Sequence, residues 1–140
     1  MTGEFSVAVH ALVYLCHTKR TTTSAELADN ICANPARVRK VMSVLVRAGL
    51  VSSSEGRGSG YAADEGCCRV TLLQVLDALG DRAVDAAWRT GDMDRECLIS
   101  SGMGDYMDAL CEELNDACRE RLGGITIGMI AEKLLGRKGN

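Results

Sequence analysis

Apolar and polar positions change rhythm several times along this chain, and each rhythm predicts a different element. From Phe5 to Cys16 almost every residue is apolar (Phe5, Val7, Ala8, Val9, Ala11, Leu12, Val13, Leu15), which at this length predicts a helix buried on most sides. Lys19, Arg20 and three threonines close it. Thr23 and Glu26 have capping-box spacing, the hydroxyl taking one orphan backbone N–H and the carboxylate another, so a second short helix is expected from Ser24 to about Asn30. After a tight connection through Cys32 and Ala33, Asn34 is placed to cap and Pro35 to occupy the first position of a third helix. That helix holds Val38, Val41, Met42 and Leu45 on one face and stops at Gly49, which supplies the left-handed conformation after a helix end. Its opposite face carries Arg37, Lys40 and Arg47, with Arg39 beside them.

The rhythm then shortens. Leu50 to Ser54, a glycine-rich tip at residues 55–60 and a returning Tyr61-Ala62-Ala63 predict a β-hairpin, the glycines supplying positive φ. Thr71 is placed to cap a fourth helix, Leu72 to Leu79, stopped by Gly80. Residues 81–102 are charged and weakly periodic, and read as a loop with a helical turn around Ala83 to Trp88. From about Gly104 to Leu122, Met107, Leu110, Leu114 and Ala117 recur at three and four residues. Cys111, Cys118 and Leu122 flank them, and acidic residues lie outside, which predicts a long amphipathic helix with a seam. Gly123-Gly124 ends it, and Ile125 to Leu135 reads as a last short helix before a polar tail. The organisation expected is residues 1–80, a loop at 81–103, and the long and short helices at 104–140.

Length and composition narrow the class. With 140 residues, 46% of them hydrophobic, the chain can bury a core as one domain, or as a small domain with an appended helix. A disordered or collagen-like chain is excluded. No run of about 18 apolar residues and no secretory leader is read, so a soluble cytoplasmic protein without membrane contact is expected. The net charge of -3 argues against a protein that coats nucleic acid indiscriminately. The charge is nevertheless divided: residues 1–69 sum to +2 and residues 70–140 to -5.

Helix, helix, three-residue turn, helix and a glycine-tipped hairpin is the layout of a winged helix-turn-helix, mainly α with a small β wing. In that layout the second helix of the pair enters the major groove and the hairpin reaches the adjacent backbone or minor groove. Arg37 and Arg39 are placed to fork onto guanine edges. Lys40 and Arg47 are placed to neutralise phosphates, Thr23 and Ser24 to meet phosphate at a helix start, and Arg57 to make the wing contact. No His/carboxylate pair beside a nucleophile, no phosphate loop opening a helix and no zinc spacing is found, so an enzyme is not expected.

Phe5 to Leu15, Ser24-Ala-Glu-Leu-Ala28, Val38 to Met42 with Leu45, Ala48 to Ser52, Gly58-Ser-Gly-Tyr61 and Val70 to Leu76 occur in an order and spacing that resembles the Rrf-type bacterial winged-helix transcription regulators, the family that includes IscR, NsrR and CymR. The resemblance implies a homodimeric, sequence-specific DNA-binding regulator, read here as a repressor. It also implies a near-palindromic double-stranded operator and a dimerisation role for the long helix, through Met107, Leu110, Cys111, Leu114, Ala117 and Cys118. Three departures stand out. Relatives often carry a basic residue and an unbroken glycine run at the wing and a leucine after it, where this chain has Glu55, Ser59 and Ala63. The competing expectation, favoured by Glu55, is a winged-helix protein-interaction module with little DNA affinity.

Seven cysteines, an odd number without a leader, read as thiols rather than a disulfide framework. Cluster-binding members of that family hold an iron–sulfur cluster with three closely spaced cysteines before the long helix, whereas this loop has only Cys97, so no metal or cluster is expected. Cys97 is the candidate thiol sensor, although Asp92, Asp94 and Glu96 are expected to raise its pKa. Cys67 and Cys68 read as two loop thiols, with a redox or metal role as the alternative. Cys16 and Cys32 read as core positions, and Cys111 and Cys118 as small apolar residues in the seam, about 10 Å apart along a helix and unable to bond to each other. His10 and His17 are expected in packing or surface roles, and Trp88 over the edge of the core. The effector is not legible.

Overall fold

The computed structural model describes residues 1–136; the polar tail expected at the C-terminus lies outside the described residues from 137 onward. Six helices and one hairpin follow in order: α1 Gly3–Thr18, α2 Ser24–Ile31, α3 Pro35–Arg47, β1 Ser52–Ser54, β2 Gly60–Ala62, α4 Leu72–Leu79, α5 Leu98–Gly123 and α6 Ile127–Leu135, with one 3₁₀ turn at Cys67–Arg69. The architecture is a mainly helical winged helix-turn-helix with a long C-terminal helix.

Local chemistry accounts for most boundaries. The Thr23 hydroxyl accepts from the Glu26 N–H, and the Asn34 side chain accepts from the Ala36 N–H with Pro35 in the first turn. Thr71 and Gln74 form a full capping box at α4. At α2 the box is only half made, because the Glu26 carboxylate turns away to Arg20 and Tyr14. Cys32 ends α2 in the left-handed region at φ 59° and is exposed, not a core residue as its apolar character suggested.

The core is one cluster. Leu12 and Leu15 of α1, Leu27 of α2, Met42 and Leu45 of α3 and Leu76 of α4 are wholly or almost wholly shielded. Ile127 of α6 and Leu122 of α5 join the same cluster, so the last helix helps to build the core. Its entry is stitched to that of α4 by Leu72 N–H to the Ile125 carbonyl and Ile127 N–H to the Val70 carbonyl, both 2.9 Å.

The region after α4 departs furthest from the periodic reading. The turn expected at Ala83 to Trp88 does not form, and Trp88 is 81% exposed instead of covering the core. Residues 81–97 form an irregular strap against α5, which begins at Leu98 rather than near Gly104. Tertiary partners hold the strap. The Asn115 side chain, buried on α5, accepts from the Val84 N–H and donates to the Val84 carbonyl. Arg82 pairs with Glu112, and Arg89 with Asp105 and Asp108. A periodicity scan sees only charge there, because the residues satisfy a neighbouring helix and not their own.

The cysteine reading is also corrected: Cys16 and Cys68 are joined by a disulfide, their Cα atoms 6.1 Å apart across 52 residues of sequence. The pairing depends on the 3₁₀ turn docking on the end of α1, which no spacing in the sequence reveals.

Candidate nucleic-acid interface

The helix-turn-helix is set by a small polar cluster. Arg20, after α1, donates to both carboxylate oxygens of Glu26 on α2, and Tyr14 of α1 donates to the same carboxylate at 2.7 Å. Arg20 and then Tyr14 hold the Glu26 carboxyl down at about 2, from an ordinary 4.5. Because the folded value lies below the unfolded one, the stabilisation is complete above the ordinary value and is lost as pH falls toward 2. Glu26→Gln is therefore expected to lower the melting temperature at pH 7, with the difference from wild type shrinking between pH 4.5 and 2. A thermal-denaturation series across that range checks it, and a pH-independent difference would contradict it.

Helix α3 buries Val38, Val41, Met42 and Leu45 and turns the rest outward. Arg37, Arg39, Lys40 and Arg47 are all exposed, but they do not form one patch. Arg37 lies over the backbone of Gly3, and Lys40 reaches Glu4 at 3.9 Å, so both lean toward the start of α1. Arg47 belongs to a groove of about 420 Å³ between α2, α3 and the wing, with Thr23, Ser24, Ser43, Ser54 and Glu55. Arg39 stands outward on the first two turns of α3, and Arg57 occupies the exposed tip of the wing between Gly56 and Gly58.

The floor of that groove is a backbone contact. Thr22 and Tyr61 exchange N–H to carbonyl bonds, both 2.9 Å, pinning β2 beside the start of α2. Gly60 makes the approach possible, since a Cβ there would stand 2.4 Å from the Thr22 carbonyl oxygen. The hydroxyls of Ser43, Ser53 and Ser54, which join Thr23 and Ser24 around the groove, went unnoticed in the sequence because serine carries no charge pattern.

Arg20 and Lys40 face the carboxylates of Glu26 and Glu4, but the arginines of α3 and the wing stand apart from any. Among the described residues, no carboxylate pairs with Arg37, Arg39, Arg47 or Arg57, whereas Arg82, Arg89 and Arg119 are each bound to aspartate or glutamate. Free guanidinium groups therefore concentrate on α3 and the wing, where a polyanion could take the place of solvent and counterions.

Helix α5 carries an exposed apolar stripe. Met107 and Leu114 are 40% and 44% exposed and Ala117 is exposed, while Leu110, Cys111 and Cys118 are half-buried. Cys111 and Cys118 turn toward the face that holds Asn115 and Leu122. The stripe continues toward the N-terminus through Ile99, Met103 and Tyr106, which the assumed later start of the helix had hidden. A separate apolar groove of about 460 Å³ lies between α1 and α6, walled by Val9, Val13, Ile130 and Leu134. His10 borders it and meets the Asn30 side chain at 2.8 Å.

Cys97 caps the start of α5 and is exposed. The backbone N–H groups of Ser100 and Ile99 lower its thiol pKa, opposite to the rise expected from neighbouring acids. The orphan N–H groups of a helix start favour the thiolate.

The model of the Rrf2 family, described as an iron-dependent transcriptional regulator, matches residues 1–133. Among solved structures, a protein of Lactobacillus plantarum described as a transcriptional regulator is 24% identical with a TM-score of 0.81, covering 96% of this chain and 91% of its own. IscR of T. potens is 17% identical with a TM-score of 0.69, covering 96% and 87%. CymR (YrzC), the global cysteine regulator of B. subtilis, is 19% identical with a TM-score of 0.68, covering 95% and 96%. A search of curated proteins finds no match.

Iron in that description calls for a donor set. The strap at 81–97 offers one thiol, and Cys111 lies roughly 20 Å further along α5 at 1.5 Å per residue. Among the described residues no group of three or more His, Cys, Asp or Glu could hold a metal ion. The residues of one chain do not fit an iron or iron–sulfur group.

Proposed function

This chain belongs to the Rrf2 family and is a DNA-binding transcription regulator, and from that premise we propose how it reads DNA: as a homodimeric repressor on a near-palindromic operator, without a metal cofactor or catalysis of its own. The observation that carries the reading is the set of arginines on α3 and the wing that no carboxylate pairs, with Arg47 among them lining a groove of hydroxyls. Arg37 and Arg39 read base edges. Lys40, Arg47, Thr23 and Ser24 hold phosphates, and Arg57 makes the wing contact.

Residues 1–80 form the reader with α6 packed into its core, 81–97 the strap with the thiol sensor candidate Cys97, and α5 the dimerising element. The apolar stripe of α5, with Met107, Leu110, Leu114 and Ala117, pairs with a second copy, since an exposed stripe of this length costs solubility unless covered. Cys111 and Cys118 border that interface. Two-fold symmetry then places the two α3 helices about one DNA turn, roughly 34 Å, apart.

The test is selection of a binding site from random duplexes, followed by salt titration of variants. Arg47→Ala is expected to weaken selected and random DNA alike, about tenfold per dimer, and to flatten the salt slope by about 2. Arg37→Ala is expected to relax discrimination at one base pair in each half-site. Equal losses on specific and random DNA for both variants would contradict the assignment. Glu55, placed in the groove beside Arg47, favours the competing protein-interaction module, which predicts negligible affinity for any duplex even at low salt.

A further inference from the structure

The disulfide does not fit the compartment in which a transcription regulator works. DNA-binding proteins meet their target where thiols are kept reduced, and disulfides found there are mostly transient and redox-sensing. Its position is equally suggestive. Cys16 is buried in the last turn of α1, while Cys68 lies in the 3₁₀ turn that follows the wing and is exposed. The bond borders an open depression of about 530 Å³, where Lys19, Asp64 and Glu65 stand beside the two cysteines. A soluble dithiol therefore has a route to the Cys68 sulfur.

The surroundings let the pair open without unfolding the chain. Cys67, next in sequence, is buried with its thiol 3.8 Å from the Leu12 carbonyl. Burial first and Asp64 second push that thiol up to about 11, so it stays protonated and silent in exchange. On the other side Gly128 of α6 packs against Cys68, where a Cβ would come within 2.9 Å of the Cys68 carbonyl oxygen. Neither contact runs through the bond itself. Opening the bond removes the covalent tie between the end of α1 and the 3₁₀ turn into which residues 63–66 lead from β2.

We propose that Cys16 and Cys68 are a redox-active pair that exchanges with small dithiols and disulfides and sets how firmly the wing is held on α1. In reduction, a thiolate of the dithiol attacks the Cys68 sulfur and the Cys16–Cys68 bond breaks. Cys16 leaves as a thiolate and takes a proton. The second thiol of the reductant then closes its own disulfide and releases Cys68 as a thiol, so two electrons and two protons pass to the pair. A small disulfide such as oxidised glutathione reverses the sequence. The oxidised form holds the wing preorganised for DNA and the reduced form loosens it; that consequence rests on the proposed DNA reading, whereas the exchange and the wing's mobility do not.

The experiment equilibrates the full chain in dithiothreitol buffers from fully reduced to fully oxidised, quenches exchange with acid, then unfolds the chain and labels its thiols with maleimide for intact mass. Hydrogen exchange at residues 52–62 and affinity for the selected duplex are read in parallel. Five labelled thiols are expected in the oxidised state and seven in the reduced state. Wing exchange is expected to quicken at least fivefold and DNA affinity to fall three- to tenfold on reduction. Cys68→Ser is expected to show six labelled thiols and the reduced-state wing exchange and affinity in every buffer, with Cys16→Ala as the second variant and Cys97→Ser resolving any share of Cys97. Seven thiols in every buffer, or identical wing exchange in both states, would overturn the proposal. Absence of DNA binding in both states counts against the DNA reading alone, with thiol count and wing exchange still deciding the pair.

Discussion

Gly60→Ala is expected to cost about 2–4 kcal/mol of folding stability and to detach the wing from the helix-turn-helix. Gly60 has φ +153°, and a Cβ there would sit 2.4 Å from the Thr22 carbonyl oxygen and 2.8 Å from its carbonyl carbon. Both obstacles are backbone, so no side chain can swing aside. Relief requires β2 to move, and moving it breaks the two 2.9 Å bonds between Thr22 and Tyr61. Those bonds are worth about 0.5–1.5 kcal/mol each, and a non-glycine residue in that backbone region costs about 1 kcal/mol more. For a chain of this length the sum corresponds to a melting temperature lower by roughly 7–14 °C. Gly58→Ala is the control, since Gly58 also has positive φ, at +73°, but open space around it. Its cost is backbone strain alone, about 1 kcal/mol. Equal losses for the two variants in thermal and urea unfolding would mean that the close approach to Thr22 does not hold the wing.

The contact around Gly60 shows where the sequence is legible and where it stops. Caps, stops and helix faces depend on residues a few positions apart, so Thr23, Asn34-Pro35, Gly49, Thr71 and Gly80 mark α2 to α4 almost to the residue. The hairpin was readable for the same reason. What failed depends on partners distant in the chain. Asn115 holding Val84, Cys16 joined to Cys68 and Thr22 pairing with Tyr61 each close loops of more than thirty residues, and no local pattern encodes such closures. The start of α5 was placed late because Leu98 and Ile99 look like isolated apolar residues after a charged loop. Cys97 was assigned the wrong direction of pKa for the same reason: its sequence neighbours are acids, but its spatial neighbours are the N–H groups of α5. For the interface, the charged residues were legible on α3, but their division between the α1 side and the wing groove required the fold.

Glu55→Lys is expected to raise affinity for DNA of any sequence by about 10- to 100-fold at low salt, an effect doubled by two-fold symmetry. The carboxylate stands in the same groove as Thr23, Ser24 and Arg47, the place assigned to a phosphate. Two unit charges about 7 Å apart in water repel or attract by roughly 0.6 kcal/mol, and reversing the sign counts that term twice in each half of the dimer. Adding one phosphate neutralisation per protomer steepens the salt dependence by about 2, so the gain should shrink toward physiological ionic strength. Glu55→Gln, which removes repulsion without adding a cation, is expected to fall between the two with a nearly unchanged slope. If all three proteins bind random and selected duplexes with one affinity and one slope, Glu55 does not face phosphate. If none binds, the fold serves a protein partner instead. The expected pattern assigns the acidic residue a selective role. It penalises every phosphate contact alike, so only a sequence that adds base contacts through Arg37 and Arg39 still binds as salt rises, and Glu55→Lys should raise specific and random binding by the same factor, leaving their ratio unchanged.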